Sequence, residues 1–251
     1  MNNDSKHFDE LNKWFTPDRI DDLYVEGDFD THPDREILKK LLEHSGKSFT
    51  GKAAYIPGCG SAYEAIPFAR RGCSIYGIDI SPKQVEIARY RAKRNNVENL
   101  CTFRCANAMQ TDFPDNHFDF IIAHAVIHHF DYAVVAKEFH RILKPGGKIV
   151  FSEPFAENPL LNFIRDYVPY PYKHRTPDEH PLTYRDIKTV TSLFTNVNVE
   201  EVQLFSMVER FTGRNLLTAA LFEFDSFVLK LLPFTKRFCR YVVFSAMKQN
   251  S

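Results

Sequence analysis

The sequence predicts an α/β protein, a Rossmann-like parallel sheet wound on both faces by helices. Two observations carry that prediction. From residue 53 to residue 153, short apolar runs alternate with amphipathic helical runs, the pattern of parallel strands joined by helical crossovers. The first strand, Ala53-Ala54-Tyr55-Ile56-Pro57, stops in Gly58-Cys59-Gly60 and opens directly into a helix. A glycine turn feeding a helix start lets a ligand lie against backbone N–H groups that favour negative charge. At 251 residues and 44% apolar content, one elaborated domain fits better than two equal ones.

Composition narrows the partners. Lys plus Arg equals Asp plus Glu at 32 each, so no basic surface points to nucleic acid. The five cysteines are scattered, which fits a reducing compartment and thiols without a disulfide frame. Cys101 and Cys105 lack further ligand-type partners, and no metal site is expected. The polar start Met1-Asn2-Asn3-Asp4 does not resemble a signal peptide. A cytoplasmic protein is the expectation.

The elements follow in order. Residues 1–50 read as an N-terminal helical arm that doubles as a lid, with Ile37, Leu38, Leu41 and Leu42 on one apolar face after Pro33. Residues 51–251 form the main domain. After the glycine turn, a helix over about 63–71 stops at Gly72, and a second strand, Ser74–Ile78, ends in Asp79. Ser81-Pro82-Lys83-Gln84 is a helix start, with Ser81 as cap and Pro82 in the first turn. Asp79 lies nineteen residues after Gly60, where an acid accepts both hydroxyls of an adenosine ribose. The competing reading is an Asp that only complements the helix dipole.

A third strand, residues 100–105, leads to Asn107. Its amide suits an adenine edge, and a turn-stabilising Asn is the competitor. The fourth strand, Phe118–Ala123, runs through His124 to His128 and His129. A helix over about 132–143 follows, capped by Asp131 and broken by Lys144-Pro145-Gly146-Gly147, before a fifth strand at Lys148–Glu153. Two insertions, at about 155–183 and 206–238, are assigned to the acceptor side. The first is rich in Pro and aromatic residues. The second holds an apolar helix over 216–232, carrying Glu223, Asp225 and Lys230. It falls short of the ~20 clean apolar residues of a membrane span. It reads first as a core or lid helix and second as a membrane-surface helix. Thr183 with Asp186 caps another helix, and Tyr241–Ala246 closes the chain as a strand.

Five motifs in order carry a resemblance: Gly58-Cys59-Gly60, Gly77-Ile78-Asp79-Ile80-Ser81, Phe113-Pro114-Asp115-Asn116-His117-Phe118-Asp119, Val126-Ile127-His128-His129-Phe130 and Arg141-Ile142-Leu143-Lys144-Pro145-Gly146-Gly147. Across about 53–154 the chain resembles class I S-adenosylmethionine-dependent methyltransferases, the small-molecule group that includes ubiquinone/menaquinone-type enzymes. The resemblance implies a seven-stranded sheet with the last strand antiparallel, and methyl transfer to a small acceptor. It places the methionine end of S-adenosylmethionine at Gly58, Cys59 and Gly60 and the ribose on Asp79. Adenine lies beside Ile80, Asn107, Ala108 and Met109, and His124 completes the methionine pocket. The chain departs from the family in three places. Ile56 and Pro57 stand where an acid usually precedes the glycines, Ala62 replaces a third glycine, and Asn107 replaces an Asp.

The apolar insertions point to a hydrophobic or amphipathic acceptor, with O- or C-methylation left open. For a proton acceptor, His129 is the first candidate and His128 the next, with His174 and His180 as rivals. The competing reading is that His128 and His129 only shape the turn before the helix at Tyr132. Two other readings stand beside this one: a non-catalytic S-adenosylmethionine-binding protein, and a nicotinamide-dependent oxidoreductase on a similar sheet.

Overall fold

A computed structural model of the chain describes residues 34–167, 180–213 and 215–250. Seven strands form one sheet in the order β3-β2-β1-β4-β5-β7-β6. They are β1 (Ala53–Pro57), β2 (Ser74–Asp79), β3 (Cys101–Cys105), β4 (Phe118–His124), β5 (Leu143–Pro154), β6 (Thr195–Val202) and β7 (Tyr241–Met247). Strands β1 to β5 pair in parallel, and β7 lies antiparallel between β5 and β6. The order reverses between β1 and β4, and a crevice at the carboxyl ends of those strands is where such sheets bind ligands.

The longer helices among the described residues are α1 (Arg35–Ser45), α2 (Ala65–Arg70), α3 (Pro82–Arg94), α4 (Tyr132–Ile142), α5 (Pro159–Tyr167), α6 (Tyr184–Val190) and α7 (Leu216–Leu231). Alternation along the central strands splits the core into two layers. Ala54 and Ile56 of β1, Ile122 of β4 and Val150 of β5 pack with Leu38 and Leu41 of α1, Phe68 of α2 and Ala88 of α3. Tyr55, Ile121 and Phe151 face the other way, against Phe139 of α4 and Ile187 of α6. Each fully buried aliphatic or aromatic side chain contributes about 1.5–3 kcal/mol, so covering both faces is what holds the central strands.

Local signals place the helix ends. The Ser81 side chain accepts the Gln84 N–H, and Asp131 accepts the N–H groups of Ala133 and Val134. Thr183 and Asp186 form a complete capping box. Helix α1 buries Ile37, Leu38 and Leu41 and packs on β5 and β7; the arm before residue 34 lies outside the described residues. Two expectations are corrected. Lys144-Pro145-Gly146-Gly147 does not separate helix from strand, because α4 ends at Ile142 and β5 begins at Leu143. Gly146, at φ +74°, absorbs the irregularity, and its N–H donates to the Lys248 carbonyl. Helix α7 is not a core helix: it buries only Thr218 and Asp225 and leaves Leu216 92% exposed. What ties it down is Asp225, whose carboxylate accepts the N–H groups of Leu204, Phe205 and Ser206 and the Ser206 hydroxyl. No helix among the described residues is long and apolar enough to cross a membrane.

Candidate functional site

The glycine turn sits where β1 ends, and three contacts shape it. Gly58 and Gly60 take positive φ, +57° and +47°, which residues with a Cβ adopt only at a cost. A Cβ on Gly58 would collide with Val126, whereas one on Gly60 would meet nothing within 4 Å among the described residues. Open space therefore lies over Gly60. Cys59 is buried and donates its N–H to the Ile78 carbonyl at 2.9 Å. Burial, with Asp79 and Glu64 nearby, holds its thiol well above the ordinary value, which makes it a packing group and no nucleophile. Gly77 makes this seat: a Cβ there would stand 2.5 Å from the Phe103 ring and 2.9 Å from the Cys59 Cβ.

Asp79 closes the turn from β2. One carboxylate oxygen accepts the Gly60 N–H at 2.8 Å and the other accepts the Ser81 N–H at 2.9 Å. The acid thus clamps the glycine turn to the start of α3. A carboxylate has about four acceptor positions, so both oxygens retain capacity for ligand hydroxyls.

The far side is built by the turn after β3. The Asn107 carboxamide oxygen accepts the Met109 N–H at 2.9 Å, the turn-stabilising role weighed against ligand binding. Its amide nitrogen is left to donate. Ala108 is buried, its carbonyl accepting the Tyr55 hydroxyl, and Ile80 is exposed beside the strand end. A flat apolar group with one polar edge matches that lining. At the end of β4, the His124 Nδ1 lies 2.8 Å from the Ser152 hydroxyl and its ring stacks on Tyr241.

The two candidate histidines differ sharply. His128 is buried, with Nδ1 2.6 Å from a Glu153 oxygen. The other Glu153 oxygen accepts the N–H groups of Val126 and Ile127, so Glu153 holds both the turn and the ring. A carboxylate only accepts, so His128 Nδ1 donates to it, and in the neutral ring Nε2 carries the lone pair. His129 is exposed, its ring centroid 4.2 Å from that of His128. His180 is exposed and away from any described ring contact; His174 lies outside the described residues. Glu153 was missed by the sequence reading. An acid ending an otherwise apolar buried strand was the signal that marked it.

A glycine turn, an acid at the end of β2 and apolar Ile80 and Ala108 near the ends of β2 and β3 are the chemistry that an adenosine-bearing ligand requires. Residues 56–151 match the family described as Methyltransferase domain. This stretch is similar to a methyltransferase domain. Among curated relatives, Methyltransferase GfsG of Streptomyces halstedii is 31% identical over 142 residues, covering 56% of this chain and 48% of that protein. Demethylmenaquinone methyltransferase of Geobacillus kaustophilus is 36% identical over 124 residues, covering 48% and 52%. The chain thus spans about half the length of these relatives. A structure of geranyl diphosphate C-methyltransferase from Streptomyces coelicolor superposes with a TM-score of 0.66 at 12% identity, covering 96% of this chain and 98% of that one, which shows the shared fold. The site residues from Gly58 to His129 lie inside the matched stretch, and their partners Ser152, Glu153 and Tyr241 lie past its end.

Proposed function

We propose that the chain transfers a methyl group from S-adenosylmethionine to a small hydrophobic or amphipathic acceptor. The observation that carries this reading is the glycine turn clamped by Asp79 within the stretch that matches a methyltransferase domain. The residues fit the cofactor. Among the described residues nothing crowds Gly60, where the methionine end is assigned; Asp79 retains acceptor capacity for two ribose hydroxyls, and adenine is assigned to Ile80, Ala108 and Met109 beside the Asn107 amide. When bound, the cofactor supplies an electrophilic methyl on a sulfonium. The protein's own task is to align an acceptor atom at ~3–3.5 Å and to exclude water.

Where the acceptor must lose a proton, His128 Nε2 is the group oriented for it, since Glu153 fixes the ring and its tautomer. His129 beside it, the first candidate in the sequence, becomes the second. Acceptor walls are assigned to α5 and α7, which leave Leu160, Phe163, Phe224 and Phe227 exposed. The relative that acts on demethylmenaquinone supports an acceptor of this character. Contact of α7 with a membrane surface belongs to the same proposal, because an apolar acceptor partitions there. The test is transfer of radiolabelled methyl from S-adenosylmethionine to a panel of quinols, polyketide hydroxyls and polar phenols. Transfer confined to the apolar members supports the reading. Transfer only to polar acceptors, or to none while the cofactor binds, favours a different acceptor class or a non-catalytic binder.

A further inference from the structure

Helix α7 sits on the domain by one side only. Thr218 and Asp225 face inward, and the Asp225 carboxylate is spent on the backbone N–H groups of Leu204, Phe205 and Ser206. On the opposite side, Leu216, Leu217, Phe224, Phe227 and Leu231 form one stripe at helical spacing, and each is at least 50% exposed. The turn that follows, Pro233–Phe238, continues the stripe with exposed Phe234 and Phe238. Helix α5 begins against that turn, where the Asn158 side chain donates to the Phe238 carbonyl at 2.8 Å, and it adds exposed Leu160, Phe163 and Tyr167. A contiguous apolar surface of this kind marks a contact site.

The charges around it choose the partner. Residues 206–240 hold six Lys or Arg against three Asp or Glu, in a chain of zero net charge. Of the two acids in α7, Asp225 is buried and Glu223 alone faces water. Lys230 at the end of the helix and Arg237 in the turn are both exposed. Among the described residues neither meets a carboxylate, and the Arg237 guanidinium lies over the Phe238 ring. Lys236 is already paired, with Glu201 at 3.2 Å.

We infer that this face docks on an anionic lipid surface, with the apolar stripe in the interface and Lys230 and Arg237 on acidic headgroups. A second copy of this chain would bring the same excess of cations, whereas acidic headgroups bring the opposite charge. The 16 residues of α7 span about 24 Å, short of the ~30 Å hydrocarbon core, so the helix lies along the surface. The inference rests on the membrane contact proposed for α7, and it names the lipid that contact requires.

Sedimentation of the full chain with lipid vesicles tests it. The chain should pellet with vesicles of phosphatidylcholine mixed with phosphatidylglycerol, weakly with phosphatidylcholine alone, and less as salt rises. Lys230→Gln with Arg237→Gln should weaken binding to the mixed vesicles roughly 10- to 30-fold. The melting temperature should not change, because both side chains are exposed. Leu231→Gln with Phe234→Gln should weaken binding to both kinds of vesicle. Equal pelleting with the two lipids, or full binding by the charge variant, overturns the anionic partner. No pelleting overturns the lipid contact, as does a dimer in analytical ultracentrifugation that the Leu231 and Phe234 substitutions abolish. Calorimetry with S-adenosylhomocysteine on the same protein keeps the cofactor separate. Cofactor binding without pelleting overturns this inference and leaves methyl transfer in place, and pelleting without cofactor binding does the reverse.

Discussion

The Asp79 carboxylate accepts the Gly60 N–H at 2.8 Å across the gap between β2 and the turn after β1. One acid therefore shapes the cradle that it also helps to fill. Asp79→Ala removes two charge-assisted hydrogen bonds, to Gly60 and Ser81. Stability should fall by about 1.5–3 kcal/mol in urea denaturation, and S-adenosylhomocysteine affinity should fall at least about tenfold. Unchanged affinity in a folded variant would remove the ribose assignment.

His128 and His129 make opposite predictions although they are neighbours. His128→Gln breaks a 2.6 Å bond to the fully buried Glu153. Single-turnover methyl transfer should slow by ~10²-fold or more if the acceptor needs a base, with cofactor affinity intact. His129→Gln should stay within about threefold of wild type. Glu153→Ala strips acceptors from two backbone N–H groups and the imidazole, and should lose about 3 kcal/mol of stability. Equal rates for wild type and His128→Gln would leave alignment as the whole mechanism.

Asp119 should carry part of the acid sensitivity, beside Glu138 and Glu200, whose carboxyls are also held low. Partial burial pushes its carboxyl up, but hydrogen bonds from Lys144, the Ala53 N–H and Lys52 outweigh that and hold it below its ordinary value of 3.8. A carboxyl lowered in the folded state contributes stability that is complete above pH ~4 and lost as pH falls through the folded value. Asp119→Asn should lose roughly 1 kcal/mol at pH 7, a modest figure because both lysines are half-exposed. Its stability curve should be flatter than wild type below pH 4. Parallel curves for the two proteins would assign the acid loss elsewhere.

Local rules made much of this fold legible. The Ser81, Asp131 and Thr183–Asp186 caps, the Asp79 strand end and the alternating central strands all follow from short-range chemistry. Long-range partners were not legible. Asn107 reads equally as a turn residue or an adenine contact, and only the structure gives its oxygen to the Met109 N–H. Glu153 and Asp225 look like ordinary acids in sequence, and each becomes a buried acceptor for backbone groups brought in from elsewhere in the chain. For helix α7 the core, lid and membrane-surface readings stood open because its apolar residues surround it, and composition does not say which of them find a neighbour; the structure removes only the core reading.

The central claim is that the clamped glycine turn holds S-adenosylmethionine. Calorimetry of the wild-type chain with S-adenosylhomocysteine and, separately, with NAD measures it directly. One-to-one binding of S-adenosylhomocysteine with no heat from NAD is the predicted result. Binding of NAD in preference, or of neither, would contradict the account.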